Sequence, residues 1–247
     1  MFAALFAALT AAVSPIKIPL GFTPVPITLQ TLMVLLAGAL LGANLGALSQ
    51  FLYVLVGALG LPVFAGGGSG FGALFGPTGG YLISYPIAAY VVGLIKEKKW
   101  ISKVLKYISV VIIAILVLIA YADLILNAGI MKIWSKQFNS YVAMTSLMTT
   151  TQRYTLFLVS FAIIMLLFFL VVHLKKRQKL STNILLGMFA ATLLIYLFGS
   201  IQGKIVTKLP WSAIFVGWVL PFIIGDTIKL LIAAYIAKNA DMTKYLK

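Results

Sequence analysis

Pro221 to Lys238 reads PFIIGDTIKLLIAAYIAK. Eighteen residues of this character come close to the length an α-helix needs to cross a bilayer. Asp226 and Lys229 interrupt the apolar run three residues apart, so a helix puts both on one side. With Pro221 opening the helix, the pair lies one to two turns below the outer surface. An ionisable side chain there costs on the order of 2.5–3.5 kcal/mol on insertion scales, which makes each a functional candidate by default. Two readings stand. In one, the pair neutralises itself and only packs. In the other, Lys229 meets an anionic ligand group and Asp226 accepts hydrogen bonds from ligand N–H groups. A Lys–carboxylate contact at about 4 Å is worth roughly 4 kcal/mol at an effective dielectric near 20, before desolvation is subtracted. The second reading predicts a small, partly apolar ligand with an anionic end and N–H donors.

The whole chain carries the same stamp. Of 247 residues, 62% are hydrophobic and 9% charged, which places the protein in the membrane. It has 19 Lys and Arg against four acids. The basic residues cluster between apolar runs, the pattern of loops that orient membrane helices rather than of a nucleic-acid surface. There is no cysteine, which excludes disulfides and thiolate metal sites. The single histidine, His173, ends an apolar run beside Lys175, Lys176 and Arg177 and reads as interfacial.

Apolar runs predict helices over Phe2–Val13, about 27–41, about 45–59 and about 81–95, with Pro86 as a kink. Further helices follow over about 104–126, about 154–173 and about 184–201. Residues 210–220 read as a short interfacial or re-entrant piece, cut by Pro221 from the last helix. This makes an all-α polytopic membrane protein of about eight spans and a single integral domain. Twelve basic residues fall in the loops after the fourth and sixth helices and in the tail, against six on the opposite side. That excess puts both termini in the cytoplasm.

Gly57 to Gly80, GALGLPVFAGGGSGFGALFGPTGG, holds ten of the chain's 21 glycines and no charge. It is too apolar for a solvent linker and too glycine-rich for a helix, and we read it as an outward-facing lid over a pocket. On the preceding helix, Gly46, Gln50, Tyr53 and Gly57 share one face. Gln50 and Tyr53 there form either a ligand-facing polar slot or an interhelical hydrogen bond. In the first helix, alanines fall in two stripes, Ala3/Ala7/Ala11 and Ala4/Ala8/Ala12. Small residues at this spacing let a helix pack closely, within this chain or against a separate membrane subunit.

Four ordered stretches carry a resemblance: FTPVPITLQT (22–31), SQFLYVLVGALGLPVFAGG (49–67), GPTGGYL (76–82) and LPFIIGDTIKLLIAAYIAK (220–238). Together they resemble the BioY family, the biotin-binding membrane (S) components of energy-coupling-factor (ECF) transporters. The likeness covers about residues 1–97 and 184–238. It implies a subunit that captures biotin from outside. Biotin fits the deduced ligand, with its carboxylate tail, apolar thioether ring and ureido N–H groups. The resemblance further implies Asp226 and Lys229 as the recognition pair and Thr78, Gly79 and Tyr81 as loop residues near the ligand. It implies a transmembrane coupling subunit and two cytoplasmic ATPase subunits as partners, with Ala4, Ala8 and Ala12 as the candidate docking stripe. The family's six-span core would occupy residues 1–99 and 184–247, and residues 100–183 would insert a two-helix hairpin.

No G-x-x-x-x-G-K-[ST] phosphate loop occurs, so ATP hydrolysis falls to partners. A secondary transporter or channel for another small anionic metabolite or vitamin, using Asp226 as an ion site, is the main competing class. An enzyme lacks a nucleophile–base set, paired carboxylates and metal ligands, so no cofactor is expected.

Overall fold

The computed structural model describes residues 1–21, 23–98, 132–135, 140–143, 149–152, 155 and 181–240. The expected inserted helices, about 104–126 and 154–173, lie outside the described residues, Thr155 apart. Between them, within the expected polar loop, β3 (Lys132–Ser135) and β4 (Ser140–Ala143) pair antiparallel, with Lys132 opposite Ala143.

The described helices are α1 (Phe2–Val13), α2 (Gln30–Leu41), α3 (Ala43–Ala58), α4 (Gly70–Phe75), α5 (Gly79–Glu97) and α6 (Thr182–Thr207), then a continuous final run. That run consists of α7 (Trp211–Ile214), a π turn at Phe215–Val219, a 3₁₀ turn at Leu220–Phe222 and α8 (Ile223–Asn239). Among the described residues, three stretches are long and apolar enough to cross a membrane: Gly79–Glu97, Thr182–Thr207 and the 29-residue Trp211–Asn239. The apolar α1, α2 and α3 are shorter, at 12, 12 and 16 residues.

Two expectations change here. Pro221 does not separate a re-entrant piece from the last helix. Its missing N–H falls where the helix has already widened to π and tightened to 3₁₀, the usual way a membrane helix absorbs a proline. Asp226 therefore stands near the middle of a 29-residue helical run rather than one or two turns below its start. The glycine stretch is also not helix-free. It folds into a 3₁₀ turn at Ala65–Gly67 and the short α4, because FGALF between the glycines is a good helical sequence once Gly70 supplies φ +80° at its start.

The core lies between α2, α5, α6 and α8, with α5 against α2 and α6 and α8 against α2 and α6, around Val34, Ala37, Ala88, Ala89, Val92, Met188, Ala191, Ile195, Ala233 and Ala234. Lipid tails are as apolar as leucine, so the helices gain by close contact rather than by hiding from solvent. Gly38 shows how close: a Cβ on it would collide with the Ala89 carbonyl of α5, and one on Gly46 of α3 would meet Gly38 Cα at 2.8 Å. At the opposite end of α2 from the lid, Lys96 and Glu97 clamp the α2–α3 turn. Lys96 Nζ donates to the Ala39 carbonyl at 2.8 Å, and Glu97 Oε1 accepts from Ala43 N–H at 3.0 Å. A cation thus sits at a helix C-terminus and an anion at a helix N-terminus, each where the backbone leaves unpaired groups.

Ahead of α2, the proline-rich connection forms a two-residue ladder of β1 (Lys17–Ile18) and β2 (Ile27–Thr28), pairing Lys17 with Thr28. The Lys17 side chain lies across Gly66, whose φ of +67° and lack of a Cβ leave room for it. This ladder and the glycine stretch close the same end of the bundle.

Candidate ligand-binding site

Under that cover lies a cavity of about 120 Å³, walled by β2, α2, the glycine stretch, α5, α6 and the final helix. Its polar groups are few and specific. Asp226 and Lys229 project from α8 and form an ion pair at 2.8 Å, with side chains 7% and 12% exposed. Thr31 of α2 donates to Asp226 Oδ1 at 3.1 Å and accepts from Lys229 Nζ at 3.3 Å. Tyr196 of α6 donates to Asp226 Oδ2 at 2.8 Å. Three helices therefore hold one carboxylate.

Counting bonds shows what is left for a ligand. A carboxylate offers about four acceptor positions and an ammonium three donors. Three of the former and two of the latter are engaged. The pair thus keeps one acceptor lobe on Oδ2 and one N–H on Lys229. These form a single donor–acceptor edge in the cavity wall. At 2.8 Å from each other, the Lys229 and Asp226 head groups lie side by side in the cavity wall.

A second polar set lies on α2 and β2. Gln30 Oε1 accepts from Tyr85 at 3.2 Å and from Thr28 at 3.1 Å, while its Nε2 donates to Tyr53 at 2.6 Å. Tyr53 in turn donates to the Val63 carbonyl at 3.1 Å, at the foot of the glycine stretch. Tyr53 stacks on Tyr85, with ring centroids 6.5 Å apart, and meets Phe64 edge-on at 5.7 Å. Tyr81 crosses to the final helix, donating to the Trp218 carbonyl at 2.5 Å. That carbonyl belongs to the irregular turn before Pro221, so Tyr81 satisfies backbone that regular helix would have satisfied itself. Gly199 lies against the Tyr81 ring, where a Cβ would collide with it.

Of the residues singled out from sequence, Thr78, Tyr81, Asp226 and Lys229 line the cavity. Gly79 is buried beside it, close against the Leu74 carbonyl and Gln202. Tyr53 lies one layer behind, positioning Gln30. Gln50 lies farther off, between α3 and α1, with its Nε2 donating to Thr10 at 3.2 Å. Ala3 and Ala7 are buried and Ala11 half-buried, whereas Ala4, Ala8 and Ala12 are exposed. Thr28, Gln30, Thr31, Tyr85 and Tyr196 also line the cavity and were not singled out. The first three belong to the ITLQT part of a stretch already notable for its prolines. Tyr196 had one weak signal, a hydroxyl inside the apolar run LLIYLF.

Among the described residues no group of His, Asp and Glu could hold a metal ion. The Asp226–Lys229 pair and the Phe64, Tyr81 and Tyr85 rings thus line one covered cavity between the helices, the usual setting of a small-molecule site.

The BioY family model matches residues 1–152 and 153–244, and the chain belongs to that family. Similar proteins include the probable biotin transporter BioY of Pyrococcus horikoshii, 50% identical over 95 residues, which are 38% of this chain and 57% of that protein. The biotin transporter BioY of Thermotoga maritima is 50% identical over 97 residues, 39% of this chain and 56% of its own length. That of Rhodobacter capsulatus is 55% identical over 95 residues, 38% and 50% respectively. The matched stretches thus span about half the length of these relatives. A solved structure, the S-component for biotin from an ECF-type ABC transporter, superposes with a TM-score of 0.62 at 19% identity. It covers 100% of this chain and 94% of its own. The likeness is one of fold.

Proposed function

We propose that the protein captures biotin from the extracellular side and carries it across the membrane as the substrate-binding component of an ECF-type ABC transporter. The observation that carries this reading is the Asp226–Lys229 pair, held by Thr31 and Tyr196 in the wall of a covered cavity in a BioY-family chain. The edge it presents, one acceptor beside one donor, matches the adjoining N–H and C=O of a cyclic urea better than a carboxylate, which would need two donors. We assign that edge to the ureido end of biotin. Tyr81, Tyr85 and Phe64 then offer aromatic surface to the bicyclic ring, and Thr78 a hydroxyl from the lid side.

The basic-residue bias supports both termini in the cytoplasm and the glycine stretch outside. The exposed Ala4/Ala8/Ala12 stripe supports docking of α1 on a transmembrane coupling subunit, with two cytoplasmic ATPase subunits supplying the energy. We read residues 100–183 as an insertion in one integral domain, since the resembling stretches all lie within about residues 1–97 and 184–238. Direct binding tests the proposal. Purified protein should bind biotin at submicromolar concentration and ignore riboflavin and thiamine; no biotin binding at micromolar concentration overturns it. The methyl ester of biotin should lose no more than about tenfold, whereas methylation of the ureido nitrogens should abolish binding. The opposite order would place the carboxylate at Lys229.

A further inference from the structure

The lid contains one tether whose role the ligand site does not explain. α4 has no buried residue, and Phe71 and Phe75 point outward. Nothing lies near the missing Cβ of Gly70 or Gly72. Apolar contact with the core comes from Ala73 and Leu74, both half-buried, and the rest of the helix adds little. Its C-terminal carbonyls are also among those that a helix leaves unpaired. Gln202 of α6 reaches two carbonyls at this end: Nε2 donates to the Leu74 carbonyl at 2.6 Å and to the Gly76 carbonyl, which also accepts from Gly79 N–H, at 2.8 Å. Among the described residues, the one other hydrogen bond from Ser69–Gly76 to a neighbouring element is Gly79 N–H to the Gly76 carbonyl at 3.1 Å, at the start of α5, so Gln202 is the side chain that ties this segment to α6. The glycines beside it keep this geometry open. A Cβ on Gly79 would meet the Leu74 carbonyl and Gln202 Nε2, and one on Gly80 would meet Gln202 Cβ at 2.9 Å. Ala73 and Thr78, on either side of the tethered carbonyls, both wall the cavity.

We propose that Gln202 is a positioning residue that holds α4 closed over the cavity and so sets how long a bound ligand stays. It touches no cavity surface itself and acts through the backbone of Leu74 and Gly76. The role in ligand release rests on the proposed biotin reading; the role in lid closure does not. Two neutral hydrogen bonds of ordinary net strength correspond to about tenfold in an equilibrium. Because the tether joins the cover rather than the ligand, its loss should act on release.

The test uses Gln202→Glu, which keeps the shape and removes both donors, and Gln202→Leu, with Gln202→Asn as a milder variant that keeps the amide but falls short by one methylene. Biotin release should speed up about tenfold in the first two while association stays within about threefold. The chain has no cysteine, so Ala73→Cys gives a single thiol on the cavity side of α4. Without any ligand, alkylation of the A73C thiol should be several-fold faster when combined with Q202E or Q202N. Unchanged alkylation and unchanged release overturn the tether, as does a parallel loss of association that marks a distorted pocket. If the unaltered protein binds no biotin, the function proposed above fails while the alkylation result still decides the tether.

Discussion

Two polar clusters are buried among these helices, and they behave differently. Between α1 and α3, Gln50 donates to Thr10 at 3.2 Å and to Ser49 at 3.3 Å, Thr10 donates to the Phe6 carbonyl at 2.8 Å, and Ser14 donates to the Thr10 carbonyl at 2.5 Å. This cluster has no charge, none of its residues lines the Asp226 cavity, and Gln50 Oε1 has no partner in it. Between α2, α6 and α8, the Asp226 cluster is charged, opens on a cavity and retains one donor and one acceptor facing it. Burial of polar groups in a membrane is therefore not by itself the mark of a site. Capacity left over and space in front of it are. The first cluster fastens helices; the second can fasten a solute.

Substitutions sharpen the contrast. The largest effect belongs to Lys229→Leu, which strands the Asp226 carboxylate: stability should fall by about 3–5 kcal/mol and biotin binding should vanish, read by thermal unfolding and by titration. Asp226→Asn comes next. It keeps the shape and removes the charge that Lys229, Thr31 and Tyr196 serve, and affinity should drop about 100-fold with the fold intact. An unchanged affinity would return the pair to a packing role. Tyr196→Phe deletes one hydrogen bond to a charged group, worth about 1.5–3 kcal/mol, so a loss of about tenfold or more is expected in the same titration. The smallest effect should come from the other cluster. Gln50→Leu removes two long hydrogen bonds and an unpaired oxygen, leaves Thr10 bonded to Phe6, and should change stability by less than about 1 kcal/mol and affinity by less than twofold. If Gln50→Leu weakened binding as much as Tyr196→Phe, the distinction between the clusters would fail.

The two regions also differ in how far sequence could read them. The apolar runs marked α1, α2, α3, α5 and α6 to within a few residues, because an unbroken stretch of such side chains in a bilayer has little choice but helix. Asp226 and Lys229 stood out because charge is rare there. Their partners did not. Thr31 is 195 residues from Asp226 and Tyr196 is 30, and no periodicity links positions on three different helices. The slot expected from Gln50 and Tyr53 was sound as a shared helix face, yet which neighbour covers that face is not a property of α3. Thr10 of α1 covers Gln50, and Gln30 of α2 meets Tyr53.

Pro221 and the glycine stretch teach the same lesson from the backbone. Proline reads as a stop, and in isolation it removes one hydrogen bond and crowds the turn before it. Here Tyr81 donates to the Trp218 carbonyl, and the helix passes through. Ten glycines read as a loop, and α4 forms among them with Gln202 bonded to two of its terminal carbonyls.

By itself the sequence determined the membrane, the apolar runs that became α1, α2, α3, α5 and α6, the glycine-rich stretch and the charged pair. Each is set locally, by the cost of exposing backbone or charge to lipid. Only the tertiary structure decided that the pair lines a cavity, that its two head groups lie side by side there, and that Gln50 stands apart from it. Those depend on which helix stands opposite, and that is settled by close packing among small residues such as Gly38, Gly46 and Ala89, whose contacts no single helix encodes.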